Sequence, residues 1–192
     1  MDKKNQQIQD SDRKYLLELA RNTIINRSKK VFLTKDEINK LPNELKKNRG
    51  CFVTLTINKQ LRGCIGYILP IAPLYKTVIE NAYNAAYGDP RFSPVKKDEI
   101  EKINIEISVL TVPEKLEYTD KNDLLSKLNP DTDGVILTKG FNGATFLPQV
   151  WEQLPSKEEF LTHLCMKAGL AFNEWEKGTL GIEIYTAEAF EE

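Results

Sequence analysis

The chain has 192 residues, 41% hydrophobic and 29% charged, and its 27 basic and 28 acidic residues leave a formal net charge of −1. A chain of this length buries roughly 70% of the surface its unfolded form exposes, so it needs neither disulfides nor a metal to hold a core. The balanced charge argues against a nucleic-acid or membrane-surface binder, and no apolar run reaches the about 18 residues of a membrane span.

Taken from the N-terminus, residues 1–7 lack the apolar core of a secretory leader, and the reading is a cytoplasmic protein. Ser11-Asp12 is expected to cap a first helix, in which Tyr15, Leu16, Leu19, Ala20 and Ile24 recur at helical spacing before basic residues near its C-terminal end. Thr34-Lys35-Asp36-Glu37 is a polar connection that starts a short second turn, with Pro42 near its end.

Cys51-Phe52-Val53-Thr54-Leu55-Thr56-Ile57 alternates apolar and polar residues with the period of a half-buried strand. Asn58-Lys59 interrupts it and Leu61-Arg62-Gly63-Cys64-Ile65-Gly66-Tyr67 resumes, which reads as a β-hairpin. A two-residue turn would set Arg62 opposite Leu55 and Cys64 opposite Val53, mixing polar groups into the apolar face. A three-residue turn, Asn58-Lys59-Gln60, pairs Leu55 with Gly63 and Val53 with Ile65 and keeps that face uniform. The second register is preferred. It puts Thr54 opposite Cys64 and Thr56 opposite Arg62, with Gly66 beside them, on the other face.

Ile71-Ala72-Pro73-Leu74 opens a long helix striped by Leu74, Val78, Ala82, Ala85 and Ala86 and stopped near Gly88. Residues 103–110 alternate as a strand with Glu106 on the polar side. Leu124-Leu125 and Leu128 suggest a short helix, residues 129–134 a turn, and 135–137 with 144–147 a second hairpin. A helix over 158–168 and a strand over 180–185 close the chain, with Trp151 and Trp175 as packing anchors. Helices interspersed with hairpin-linked strands indicate an α+β fold with mostly antiparallel sheets.

An arginine two residues from a cysteine on a strand shares its face, and a guanidinium there lowers a thiol pKa below about 8.5. Cys64 is therefore the candidate nucleophile. Arg62 and Arg91 are candidate anion ligands, Asp89 their loop partner, and Gly63 and Gly66 give room for a ligand or another backbone. Glu106 is either a partner for one arginine or a general base. Equally, these residues form ion pairs, loop hydrogen bonds and strand bulges in many folds. No metal is expected: the three cysteines, Cys51, Cys64 and Cys165, lack paired spacing, an odd count argues for reduced thiols, and Asp131 and Asp133 lack the calcium-loop glutamate, position 142 being Asn142. His163 and Cys165 sit roughly 200° apart on a helix and cannot share one ion, and Cys165 falls on the apolar stripe. A Cys64/His163 dyad requires that helix to reach the hairpin's polar face. No nucleotide fingerprint names a cofactor.

The hairpin segment resembles the signature of the AMMECR family. The similarity extends to 50–55, to Asp89-Pro90-Arg91-Phe92-Ser93-Pro94, to 105–110, to Phe146-Leu147-Pro148-Gln149-Val150 and to 160–170. The chain departs from it at Lys59-Gln60, where the family usually has a turn glycine. The resemblance implies one AMMECR domain over 1–192, made of two subdomains of two-layer α/β sandwich type whose boundary stays open. The family's biochemical role is not established. Its bacterial and archaeal members are associated, by gene neighbourhood, with a MEMO-family protein and a radical S-adenosylmethionine (radical SAM) protein, which implies partners and not a reaction. The leading expectation is a surface around Arg62, Cys64, Asp89 and Arg91 that binds a small anionic ligand or a protein partner. An enzyme using Cys64 as an activated thiol with those two proteins is the alternative, and an adaptor without a small-molecule site is the third reading.

Overall fold

The structure, a computed structural model, describes residues 8–28 and 33–192. The leader reading of residues 1–7 and the basic residues Lys29 and Lys30 lie outside them. The elements are α1 (Asp10–Asn26), α2 (Lys35–Lys40), α3 (Asn43–Lys46), β1 (Cys51–Ile57), β2 (Gln60–Tyr67), α4 (Leu74–Tyr87), β3 (Asn104–Leu110) and β4 (Glu114–Lys115). Then follow α5 (Lys121–Lys127), β5 (Gly134–Lys139), β6 (Asn142–Phe146), α6 (Lys157–Lys167), β7 (Gly181–Tyr185) and β8 (Ala187–Glu191), with 3-10 turns at Lys97–Lys102, Pro148–Glu152 and Glu174–Lys177. The α+β class expected from the sequence is the class found.

The strands form two four-stranded sheets, in the orders β2-β1-β3-β8 and β4-β7-β5-β6. Two compact units follow: one ends at Val112 and regains the chain at Glu188–Glu192, and the other is Pro113–Ala187. In the first, the stripe Leu16, Ala20, Ile24 of α1 and Val78, Ala82, Ala85 of α4 packs on Val53, Leu55, Ile105 and Ile107. In the second, Leu161, Leu164 and Cys165 of α6 cover Val135, Leu137 and Ile182. Trp151 stacks on Phe160 at 3.7 Å between ring centroids while its indole N–H donates to the Asp133 carbonyl at 2.7 Å. Both tryptophans are buried, as anchors are.

Side-chain caps explain the starts of three helices. Thr34 and Glu37 close a capping box on α2, and Asp120 and Ser156 cap α5 and α6 through their side chains. The first helix differs from expectation: it begins earlier, at Asp10 after Gln9, so Ser11 and Asp12 lie inside its first turn and the N-cap makes no side-chain bond. The strand β8 was invisible in the sequence because each parity of Ala187–Glu191 mixes charged and apolar residues, Glu188 with Phe190 and Glu191 with Ala187 and Ala189. Pairing decides it. Among the described residues no helix is long and apolar enough to cross a membrane.

Candidate functional site

The hairpin β1–β2 combines both registers that the sequence offered. The turn holds two residues, Asn58 and Lys59, at φ 51° and 63°, the left-handed pair of a type I′ turn. Ile57 pairs with Gln60 and Thr56 with Leu61, then the register shifts, and Leu55 pairs with Gly63, Thr54 with Cys64 and Val53 with Ile65. Arg62 is the extra residue of a β-bulge. The three-residue turn and the Thr56–Arg62 pair are thus corrected, while the inner register that keeps the apolar face uniform is the one found. The bulge absorbs the mismatch between a tight turn and the hydrophobic pattern.

This bulge decides the fate of Arg62. Alternation no longer binds its direction to that of Cys64, and its guanidinium forks onto Glu99 of the 3-10 turn, Nε donating to Oε1 at 2.8 Å and Nη2 to Oε2 at 3.0 Å. Only 14% of the Arg62 side chain is exposed. Glu99 also accepts the Lys96 N–H at 2.7 Å. The Arg62 fork, followed by that N–H, holds the Glu99 carboxyl down to about 2. Sequence reasoning missed Glu99, whose one signal is its place in the charged run 96–102.

Strand β2 is an edge of its sheet, so the backbone groups of Cys64 that face away from β1 need partners. The loop after α4 provides them. Asp89 Oδ2 accepts the Cys64 N–H at 2.9 Å, and Arg91 Nη2 donates to the Cys64 carbonyl at 2.9 Å. Asp89 also accepts the Arg91 backbone N–H at 3.0 Å, Nε at 3.0 Å and Nη2 at 2.7 Å. Asp89 is buried to 4% exposure, and the Arg91 guanidinium, then the two backbone N–H groups, hold its carboxyl well below the usual carboxylate range. Arg91 is raised, first by Asp89 and to a lesser degree by the Cys64 side chain. The cation beside Cys64 is therefore Arg91 and not Arg62. Its side chain is 54% exposed and lies 5.5 Å from the Phe92 ring centroid.

Gly63 and Gly66 are explained by packing. A Cβ on Gly63 would lie 2.1 Å from the Ala85 carbonyl oxygen, so the backbone of α4 occupies the space a ligand was expected to use. A Cβ on Gly66 would lie 2.4 Å from both the Cys51 carbonyl and the Phe52 ring. The room left by these glycines is taken by the protein itself.

On the outer face, the half-buried Cys64 receives the Thr54 hydroxyl at 3.4 Å, and Thr54 pairs on its other side with Glu106 of β3. Cys64, Thr54 and Glu106 thus form one row across three strands. Glu106 partners neither arginine, contrary to the expected pairing, because the bulge and the loop direct those to Glu99 and Asp89. The other cysteines behave as core: Cys51 is buried on the opposite face, with burial pushing its thiol up to about 12, and burial also raises Cys165. His163 is exposed on α6, in the second unit. Among the described residues no group of three or more His, Cys, Asp or Glu side chains could hold a metal ion.

A family model described as AMMECR1 matches residues 17–190. A protein of Methanopyrus kandleri is 38% identical over 188 residues, covering 93% of this chain and 87% of its own length. One of Pyrococcus abyssi is 39% identical over 198 residues, covering 96% and 92%. A crystal structure of an uncharacterized protein from Pyrococcus horikoshii superposes with a TM-score of 0.81 at 38% identity, over 96% of this chain and 93% of that one.

Proposed function

Taking as premise that the chain belongs to the AMMECR1 family, we propose that the outer surface of β2 at Cys64 and Arg91 binds an anionic group, carried by a small ligand or by a protein partner. One observation carries this reading: Asp89 and the Cys64 carbonyl engage Nε and Nη2 of Arg91, fixing a half-exposed guanidinium whose Nη1 donates to no side chain or carbonyl among the described residues. With Nε and both Nη2 protons committed, the two Nη1 protons of a pre-positioned guanidinium are left for an oxygen of a carboxylate or phosphate, at little entropic cost. Arg62 is less suited to that role, because Glu99 holds its Nε and Nη2 and only 14% of its side chain is exposed. The partner class that fits the family's gene neighbourhood is a MEMO-family or radical SAM protein, in a cytoplasm that keeps Cys64 reduced.

A second reading is an enzyme that uses Cys64 as a thiol nucleophile. The row Cys64, Thr54, Glu106 favours it, since it puts a hydroxyl against the sulfur and a carboxylate in register behind it.

Alkylation of Cys64, followed by peptide mapping, tests both. Millimolar phosphate or a small dicarboxylate is expected to slow labelling several-fold, Arg91→Ala to abolish that protection, and Arg62→Ala to leave it intact. Labelling indifferent to anions in the native protein overturns small-anion binding. If labelling is then slowed by a purified MEMO-family or radical SAM protein, the surface is a protein-docking site. Dependence of the labelling rate on Glu106→Gln, with the fold intact by circular dichroism, supports the thiol enzyme.

A further inference from the structure

The edge of β2 is closed at Cys64 and open two residues later. Along an antiparallel strand the backbone N–H and carbonyl of alternate residues point to the same side. Those of Cys64 point away from β1, where Asp89 and Arg91 take them. Gly66 stands in the same register against β1 and therefore turns its own N–H and carbonyl outward. Among the described residues neither group has a hydrogen-bond partner. Ile65, Gly66 and Tyr67 are each partly exposed, so solvent reaches the edge here. A free donor and acceptor on an edge strand are a template for one more strand.

Two features define that strand. Pairing stops after Gly66, because Cys64 has no backbone group left to give, so a visiting chain has to end or turn away there. At that point stands Arg91, with the two Nη1 protons uncommitted among the described residues. A chain running antiparallel to β2 meets both conditions with its own C-terminus. Its third residue from the end exchanges two backbone bonds with Gly66, and its last residue comes opposite Cys64 with the α-carboxylate toward Arg91. Antiparallel is also the sense in which β1 pairs with both its neighbours. An acidic side chain in mid-chain fits less well, since the chain carrying it would run on into the loop of Asp89 and Arg91. Alternation sets the penultimate residue beside Ile65, on the core side, where an apolar side chain suits it. Leu69 and Ile71, 58% and 67% exposed just past the strand, favour apolar residues farther upstream.

We infer that the β2 edge binds the free C-terminal segment of a partner protein as an added antiparallel strand, paired at Gly66 and ended by its α-carboxylate on Arg91. This rests on the anion-binding reading of the Arg91 surface and adds to it the kind of partner and its register.

The test is an amide-shift NMR titration of the full chain with the peptide acetyl-Leu-Val-Thr-Val-Val, its C-terminal amide, and the free acid N-methylated at Thr, which cannot donate to the Gly66 carbonyl. Saturable shifts over 63–67 and 89–91 are expected with the free acid, and binding about tenfold weaker with each of the other two, the scale of one charge-assisted or backbone hydrogen bond. Arg91→Ala should remove the difference between acid and amide. Equal affinity of acid and amide, indifference to N-methylation, or no saturable shift with the free acid overturns the inference. If the peptide fails while phosphate still slows Cys64 labelling, strand addition falls and the anion surface stands; if both fail, the anion reading falls with it. The peptide series on the unaltered chain decides the matter even if the variant does not fold.

Discussion

The hairpin β1–β2 ends one sheet and β5–β6 ends the other, and the two are built differently. The second runs in unbroken register from Lys139–Asn142 to Val135–Phe146 around a turn in which Gly140 takes the left-handed conformation, at φ 59°. The first uses two side-chain-bearing residues in that conformation and a bulge four positions from Asn58. The edges differ too. Lys167 meets β6 through a hydrogen bond to the Thr145 carbonyl at 3.0 Å and lies 4.9 Å from the Phe146 ring centroid, whereas the Asp89–Arg91 clamp takes both free backbone groups of Cys64. A regular hairpin leaves its side chains where alternation puts them. A bulged and clamped one separates two arginines into different jobs.

The sharpest contrast is between glycines. Gly63→Ala should cost about 3 kcal/mol in urea unfolding, at the upper end of overpacking, because the obstruction is backbone. Gly143→Ala, whose Cβ would sit 3.4 Å from the Leu137 oxygen, should change stability by less than about 1 kcal/mol. Similar losses at both would break the comparison.

Next comes the clamp. Asp89→Ala should cost about 2 kcal/mol, the scale of a buried charge-assisted hydrogen bond, since it strands the Cys64 N–H and frees Arg91. Acid should do the same reversibly. Asp89 and Glu99 both have folded pKa values below their unfolded ones near 4, so their contribution is complete above that pH and is lost as pH falls toward the folded values. Unfolding midpoints between about pH 5 and 2 should therefore fall less steeply in Asp89→Ala than in the parent chain.

The smallest effects lie in the turns. Lys59→Gly should stabilise by about 0.5–1 kcal/mol by relieving a left-handed lysine, and Gly140→Ala should destabilise by about 1 kcal/mol for the converse reason. A loss with Lys59→Gly would mean that the lysine side chain contributes more than its backbone costs.

Much of this was legible beforehand. Alternation in 51–57 and 103–110, the alanine stripe of α4 and its stop at Gly88 marked elements because they report local preferences and one buried face. The inner register of the signature hairpin followed from keeping Val53, Leu55, Gly63 and Ile65 on the core side. The partner of Arg62 did not. Glu99 lies 37 residues away, and an ion pair across that separation leaves no periodic trace. For the same reason the sequence named residues that the structure brings together, Cys64, Asp89 and Arg91, but misjudged their arrangement: both arginines were placed beside the thiol, and only Arg91 is.

The sequence by itself determined the family, the α+β class, the two hairpins and the presence of a thiol with cations and carboxylates near it, because periodicity and motif order survive without coordinates. Tertiary structure alone decided that a bulge turns Arg62 to Glu99, that α4 fills the space at Gly63, that Asp89 and Arg91 close the edge at Cys64, and that β8 completes the first sheet. Each of these depends on which backbone groups are left unpaired and which segments arrive to meet them, a condition that exists only once the chain has folded.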